Sequence, residues 1–247
     1  MPYAEILPDS ALRSLVARYW AISAPYTDHR VLPDGGIDVL VLGGVGARVL
    51  GTMSRAIVAP ASPRPIVGVR FHPGEAARLA RAAPRELTDA TATLERIWED
   101  DGRALEDAIV GALDRAESTP DLVLARIAPL LDAALTKRLA AHDMGADVRV
   151  RAAAGVLVEG GTVRTAAERA CLSERQLARR FEGRIGLAPK TFGRVMRLQR
   201  ATRLLATGAS ASAAAAHAGY SDPAHFSNDA KSLAGITPAA LARELAG

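Results

Sequence analysis

From Thr162 to Leu205 the sequence TVRTAAERACLSERQLARRFEGRIGLAPKTFGRVMRLQRATRLL holds two short helical patterns parted by a tight turn, then a third, longer one. That order restricts the region to a helix-turn-helix feeding a joining helix. Thr162 can N-cap a helix carrying Val163, Ala166, Ala167 and Ala170. After the turn at Cys171-Leu172, Ser173 starts the next helix with Gln176 three residues on, a capping-box spacing. In that second helix Leu177 and Phe181 stand at i and i+4 and must face inward. At about 100° per residue, Arg179 then falls on the opposite face, flanked by Arg175 and Gln176.

The outward face is therefore a donor face. A guanidinium can make two parallel hydrogen bonds to a guanine edge and an amide can do likewise to adenine, so Arg175, Gln176 and Arg179 carry the chemistry of major-groove readout. Eleven Lys and Arg face three acids (Glu168, Glu174, Glu182) over Thr162 to Leu205. A solvated basic helix would show the same density, so the helix geometry decides in favour of a polyphosphate partner.

A second, less charged copy follows. Ser210 to His217 is an Ala-rich helical stretch ending at Ala218-Gly219, and Asp222-Pro223 supply an N-cap and an N1 proline for a helix with Phe226, Ala230 and Leu233 inward. Ala224, Asn228 and Lys231 point outward there, with His225 at the margin. Between the copies, Pro189 to about Ala206 reads as one uninterrupted helix, about 27 Å long at 1.5 Å per residue. Two recognition helices held that far apart can enter successive major-groove turns, about 34 Å apart.

These residues carry a family resemblance. SERQLARRFEGRIGLAPKTFGRVMRLQRA and GYSDPAHFSNDAKSLAGITPAAL resemble the two helix-turn-helix motifs of the AraC/XylS family of bacterial transcription regulators. The resemblance puts Arg175, Ala178 and Arg179 where the first recognition helix meets bases, and Ala224, His225 and Asn228 where the second does. Phosphate contacts are assigned to Thr162, Ser173, Arg180, Lys190, Arg194, Arg200, Asp222 and Lys231. Three positions depart from the family pattern: Cys171 stands where the turn has Gly, Ala188 where Ser or Thr caps the joining helix, and Asn228 with Ala230 replace an Arg and an aromatic. The resemblance implies promoter DNA and RNA polymerase as partners, leaves room for a small-molecule effector and a homodimer, and implies no cofactor.

Net charge divides the chain. Residues 145–247 hold 15 basic and 8 acidic residues, or +7, whereas residues 1–144 hold 16 and 19, or −3. A basic binding domain (145–247) joined to a domain with another task (1–144) is expected, with the boundary near His142–Ala146. An apolar share of 49% with 23% charged is that of a folded globular chain. Apolar runs are broken by charges such as Asp38 and Arg48 before reaching membrane-spanning length, and the start from Met1-Pro2 lacks a leader pattern. A cytoplasmic protein is expected. The single cysteine leaves no disulfide framework or Cys-cluster zinc site.

The first hundred residues read as short strands and turns: Gly36 to Leu42, Ala47 to Leu50, Ala56 to Ala59 and Ile66 to Phe71, suggesting a small barrel or sandwich. Ala11 to Tyr19 and Gly74 to Ala83 read as helices. RVLPDGGIDVLVL and VGVRFHPGEAARLA resemble the sensor-like domain of one branch of AraC-type regulators. From 103 to 142 two helices are expected, striped by Leu105, Ile109, Leu113 and by Leu122, Leu124, Ile127, Leu130, Leu131, Leu135, with a break at Ser118–Asp121. They are expected to pack on the β region rather than form a self-association surface. The expected fold class is α+β.

His29, Asp38 and His72 lack a spacing that fixes metal ligands on one face. Trp20 with Tyr19, and Arg70 with Phe71, could line a small aromatic pocket with an anion clamp. An enzyme in the first half with an appended DNA-binding module, such as a DNA-repair methyl acceptor, is the rival reading. It needs a nucleophilic cysteine outside the helix-turn-helix and a zinc cluster. A non-specific architectural binder would leave the first 140 or so residues without a role.

Overall fold

Strands form where branched and aromatic side chains alternate between two faces. The computed structural model describes residues 3–23, 25–80, 83–113 and 119–246. Met1-Pro2, Ser118 and part of the Gly74–Ala83 stretch lie outside them. The first strands are β1 (Tyr3–Ile6), β2 (Val16–Ile22), β3 (His29–Val31), β4 (Asp38–Leu42) and β5 (Gly46–Leu50). Then come β6 (Ile57–Ala59), β7 (Ile66–Phe71) and β8 (Thr91–Thr93). Six of them form an antiparallel sheet in the order β1-β2-β7-β4-β5-β8, while β3 and β6 pair as a separate ribbon. Helices α1 (Leu94–Trp98), α2 (Asp100–Leu113) and α3 (Pro120–His142) follow.

The pleat sorts the side chains. One face presents Tyr19, Val39, Val41, Val49, Val69 and Phe71 to Leu105 and Ile109 of α2 and to Leu124, Ile127, Leu131 and Leu135 of α3. The Tyr19 hydroxyl donates to Asp132 of α3 at 2.8 Å. Both expected helices therefore pack on the sheet, although Leu122 is exposed. The other face carries Trp20, Ile22 and Ile66 with Tyr26. Gly68 lies opposite Trp20, where a Cβ would come 2.1 Å from the indole.

Two expectations need correction. Ala11 to Tyr19 is a 3-10 turn (Ser10–Leu12) running into β2, not a helix, because Val16–Ile22 pairs with β1 and β7, and its Tyr19–Ile22 end is buried on both faces and loses the polar alternation of a strand. Among the described residues of Gly74–Ala83, only Ala76–Arg78 makes a 3-10 turn. The aromatic pairs also separate. Tyr19 and Phe71 enter the core, whereas Arg70 donates to Asp38 at 3.0 and 3.2 Å and lies 3.0 Å from Asp34, so its charge is already answered. Burial pushes the Asp38 carboxyl up to about 6, against the pull of Arg70.

After the Asp143–Asp147 segment the chain is helical: α4 (Val148–Val158), α5 (Val163–Arg169), α6 (Glu174–Ile185), α7 (Pro189–Ala206), α8 (Ala211–Ala218), α9 (Pro223–Asp229) and α10 (Pro238–Ala246). A π turn, Ala230–Ala234, extends α9. These helices share one apolar cluster distinct from that of the sheet, and Leu32 of the N-terminal region packs against it. The fold is α+β, with the sheet first and the helices last. No helix among the described residues is long and apolar enough to cross a membrane.

Candidate nucleic-acid interface

The first unit is built by local capping. The Thr162 hydroxyl accepts from the Thr165 amide at 3.1 Å and Thr165 Oγ1 accepts from the Thr162 amide at 2.9 Å. Ser173 and Gln176 repeat this at α6, with the Gln176 amide donating to Ser173 Oγ at 3.2 Å and Gln176 Oε1 accepting from the Ser173 amide at 2.9 Å. Cys171, in the turn between them, has φ +52°. This is the left-handed region a glycine would occupy without strain. Leu177, Phe181 and Ile185 bury one stripe of α6, and Phe181 meets Phe192 of α7 edge-on at 5.2 Å.

On the opposite side Arg175, Gln176 and Arg179 are exposed and line one open recess, with Ala178 half-buried beside them. The capping box occupies Gln176 Oε1, so the amide cannot offer its oxygen and its NH2 together to an adenine edge. Arg175 and Arg179 thus dominate the donor chemistry of this face.

Pro189 begins α7 after Ala188, which offers no side-chain cap. Phe192, Val195, Leu198, Ala201 and Leu205 bury its inner side. Its arginines divide by partner. Arg194 donates to the buried Asp229 at 2.8 and 3.0 Å, joining α7 to α9. Arg200 donates to the carbonyls of Val158 at 2.7 Å and Ala218 at 3.2 Å, joining the ends of α4 and α8, and burial beside Arg197 and Arg203 lowers its pKa. Arg180, on α6, binds Asp147 at 3.1 Å. These three phosphate candidates therefore also hold helices together.

The second unit repeats the plan. Ser210 caps α8, accepting from the Ala213 amide at 3.1 Å, and Gly219 ends that helix with φ +87°. Asp222 accepts from the His225 amide at 2.7 Å, a bond that lowers its carboxyl pKa. Phe226, Ala230 and Leu233 are buried; Ala224, Asn228 and Lys231 are exposed. His225 is half-buried, with Nδ1 3.1 Å from Ser221 Oγ and Nε2 3.4 Å from Arg197. Thr162, Ser173 and Asp222 all spend a side-chain oxygen on their own helices, while Lys190 and Lys231 extend into solvent. Among the described residues no group of His, Cys, Asp or Glu is arranged to hold a metal ion, and His72 Nε2 lies 3.1 Å from the Arg13 carbonyl.

Residues 166–244, the span holding both units, match the model of a helix-turn-helix domain family. This part of the chain is a helix-turn-helix domain. Residues 4–93 match a domain of unknown function. No curated protein sequence matches the chain significantly. Among solved structures, a transcriptional regulator from Chromobacterium violaceum with an AraC-type DNA-binding domain is 26% identical, with 40% of this chain and 92% of that one covered and a TM-score of 0.37. ToxT from Vibrio cholerae bound to (E)-4-(8-methylnaphthalen-1-yl)but-3-enoic acid is 13% identical over 99% of this chain and 100% of that one, with a TM-score of 0.46. ToxT bound to an unsaturated fatty acid gives 12%, 100%, 95% and 0.44.

Residues that the sequence did not single out bind the sheet region to the C-terminal helices. Thr52, Thr88, Arg30 and Glu75 all contact them, across sequence separations that leave no local signal.

Proposed function

We propose that residues 145–247 read two adjacent major-groove segments of promoter DNA, one through α6 and one through α9, and that residues 1–144 form a separate domain that modulates this reading. The observation that carries the proposal is the exposed donor face of Arg175, Gln176 and Arg179, backed by the buried stripe Leu177–Phe181–Ile185. At the second unit Ala224, His225 and Asn228 form the smaller equivalent face. Lys190 and Lys231 meet phosphate as exposed cations, and Arg180, Arg194 and Arg200 do so while keeping their internal partners. Thr162, Ser173 and Asp222 mark the helix starts that approach the backbone.

Control by a small molecule and contact with RNA polymerase belong to the same reading. The apolar cavity within the sheet region, lined by Ile37, Phe71, Leu87 and Trp98, holds only about 20 Å³, room for a water and no more. An open recess of about 360 Å³ between the β3–β6 ribbon and α10, bordered by His29, Arg30, Leu32, Val58, Leu241 and Glu244, is large enough for an effector. Selection of binding sites from random duplex DNA at a stated salt concentration tests the proposal. A preferred sequence with two conserved blocks supports it, and retention of all sequences alike contradicts it.

A further inference from the structure

Each recognition helix ends in the same way. α6 closes at Ile185 with Gly186 at φ +96°, and the α9 π-turn extension closes at Ala234 with Gly235 at φ +75°. The following sequences, Gly186-Leu-Ala-Pro and Gly235-Ile-Thr-Pro, are alike. A helix end leaves its last carbonyls without intrahelical donors. Here the N-terminal region supplies donors at both ends. The buried Thr52 hydroxyl donates to the Ile185 carbonyl and the Thr88 hydroxyl to the Gly186 carbonyl at 2.7 Å. At the other helix, the Ala56 amide donates to the Leu233 carbonyl at 2.6 Å and Arg30 to the Ala234 carbonyl at 3.0 Å.

One short loop, residues 51–56, thus reaches both helix ends. It is braced from within the N-terminal region. The Asp89 carboxylate accepts from the Ser54 amide at 2.7 Å, and the Asp89 amide donates to the Thr52 carbonyl at 3.1 Å. Gly51 lies so close to Leu87 that a Cβ would come 1.7 Å from its carbonyl oxygen. Arg30 is itself fixed by a two-point bond to Glu244 of α10, at 3.0 and 3.3 Å. Between the two ends, Gln199 of α7 donates to the Pro33 carbonyl at 2.7 Å and Gly35 abuts Phe192. All these contacts leave Arg175, Arg179, Ala224 and Asn228 exposed.

We propose that Thr52 and Thr88 at one helix, with Arg30 at the other, are positioning residues that set the spacing at which α6 and α9 are presented, so that the N-terminal region fixes the distance between the two recognised DNA segments without touching a base. The inference rests on the two-segment reading above. A hydroxyl donating to a helix-end carbonyl sets where that end sits. The base-reading candidates lie in the first half of each helix, Arg175, Gln176 and Arg179 in α6 and Ala224, His225 and Asn228 in α9 with its extension. Spacing preference and base preference are therefore separable.

The test uses the full chain and a selected site in which the two recognised blocks are moved apart by one and two base pairs. The wild-type protein should bind the altered spacings about tenfold or more weakly, a coupling of ordinary allosteric size. Thr52→Val with Thr88→Val keeps the side-chain shape and removes both hydroxyls. It should lose most of that discrimination with base preference in each block unchanged, and Thr52→Ser with Thr88→Ser should restore it. Arg30→Gln, at the other helix end, should loosen spacing in the same way, and it serves if the valine pair does not fold. A folded valine pair or Arg30→Gln variant with the wild-type spacing profile overturns the proposal, as does a change in which bases are preferred. Failure of the two-segment reading is visible separately, in a wild-type protein indifferent to spacing, and it removes the proposal as well.

Discussion

At Cys171 the backbone adopts φ +52° in the turn before α6, and its side chain is exposed. A residue with a Cβ in that region is strained by about 1 kcal/mol relative to glycine. Cys171→Gly should therefore stabilise the protein by about that amount, read from the denaturant midpoint, and an unchanged or lowered midpoint contradicts the strain. Cys171→Ser should leave DNA binding and its response to mild peroxide nearly unaltered, because no second cysteine is present to resolve an oxidised thiol. Arg179 stands on the opposite side of α6 from buried Leu177 and Phe181, free of the packing that holds the helix. Arg179→Ala should cost about 1–3 kcal/mol at the preferred site and blur base preference there. Arg200→Ala should act differently. Two helix-end carbonyls lose their donor, so a fall in thermal stability should accompany any loss of binding, and a binding loss with unchanged stability would place Arg200 on phosphate alone.

Among the elements, α4 and the sheet give the clearest tests. Asp147 accepts from the amides of Arg149 and Val150, both at 3.2 Å, and also binds Arg180, so it caps α4 and ties it to α6. Asp147→Ala should destabilise the protein by about 1 kcal/mol, measured by equilibrium unfolding. In the sheet, the Asp38 carboxyl is raised from 3.8 to about 6 by burial. Between those values the folded chain binds more protons than the unfolded one. The stability this group contributes is thus present in full below pH 3.8 and is lost as pH rises through about 6. The carboxyl carbon of Asp38, followed by NMR, should titrate near pH 6; a midpoint near the ordinary value contradicts its burial. The same contrast explains what could be read from the chain. Capping boxes and i, i+4 stripes act within a few residues, so α6, α7 and α9 were legible from their own letters. Ala11–Tyr19 hides its strand because the Tyr19–Ile22 end of β2 is buried on both faces, and the three-residue strands β3, β6 and β8 are too short to show a period.

Across the whole molecule, the division of charge matches the division of structure: the basic half is helical and the acidic half carries the sheet and helices α1, α2 and α3. What no local pattern could reveal is how the halves join, since Thr88 meets Gly186 across 98 positions and Arg30 meets Ala234 across 204. Those bonds come from tertiary docking of backbone carbonyls, whose chemistry is the same at every residue. The central claim is that two faces of one chain read two blocks of one site. The most direct measurement compares the base preferences of full-length Arg179→Ala and Asn228→Ala with those of the wild type, position by position along a selected duplex. The account predicts that each variant blurs a different block and that the blocks lie about one helical turn, or 10 base pairs, apart. Blurring of the same positions by both variants, or of none by either, would contradict it.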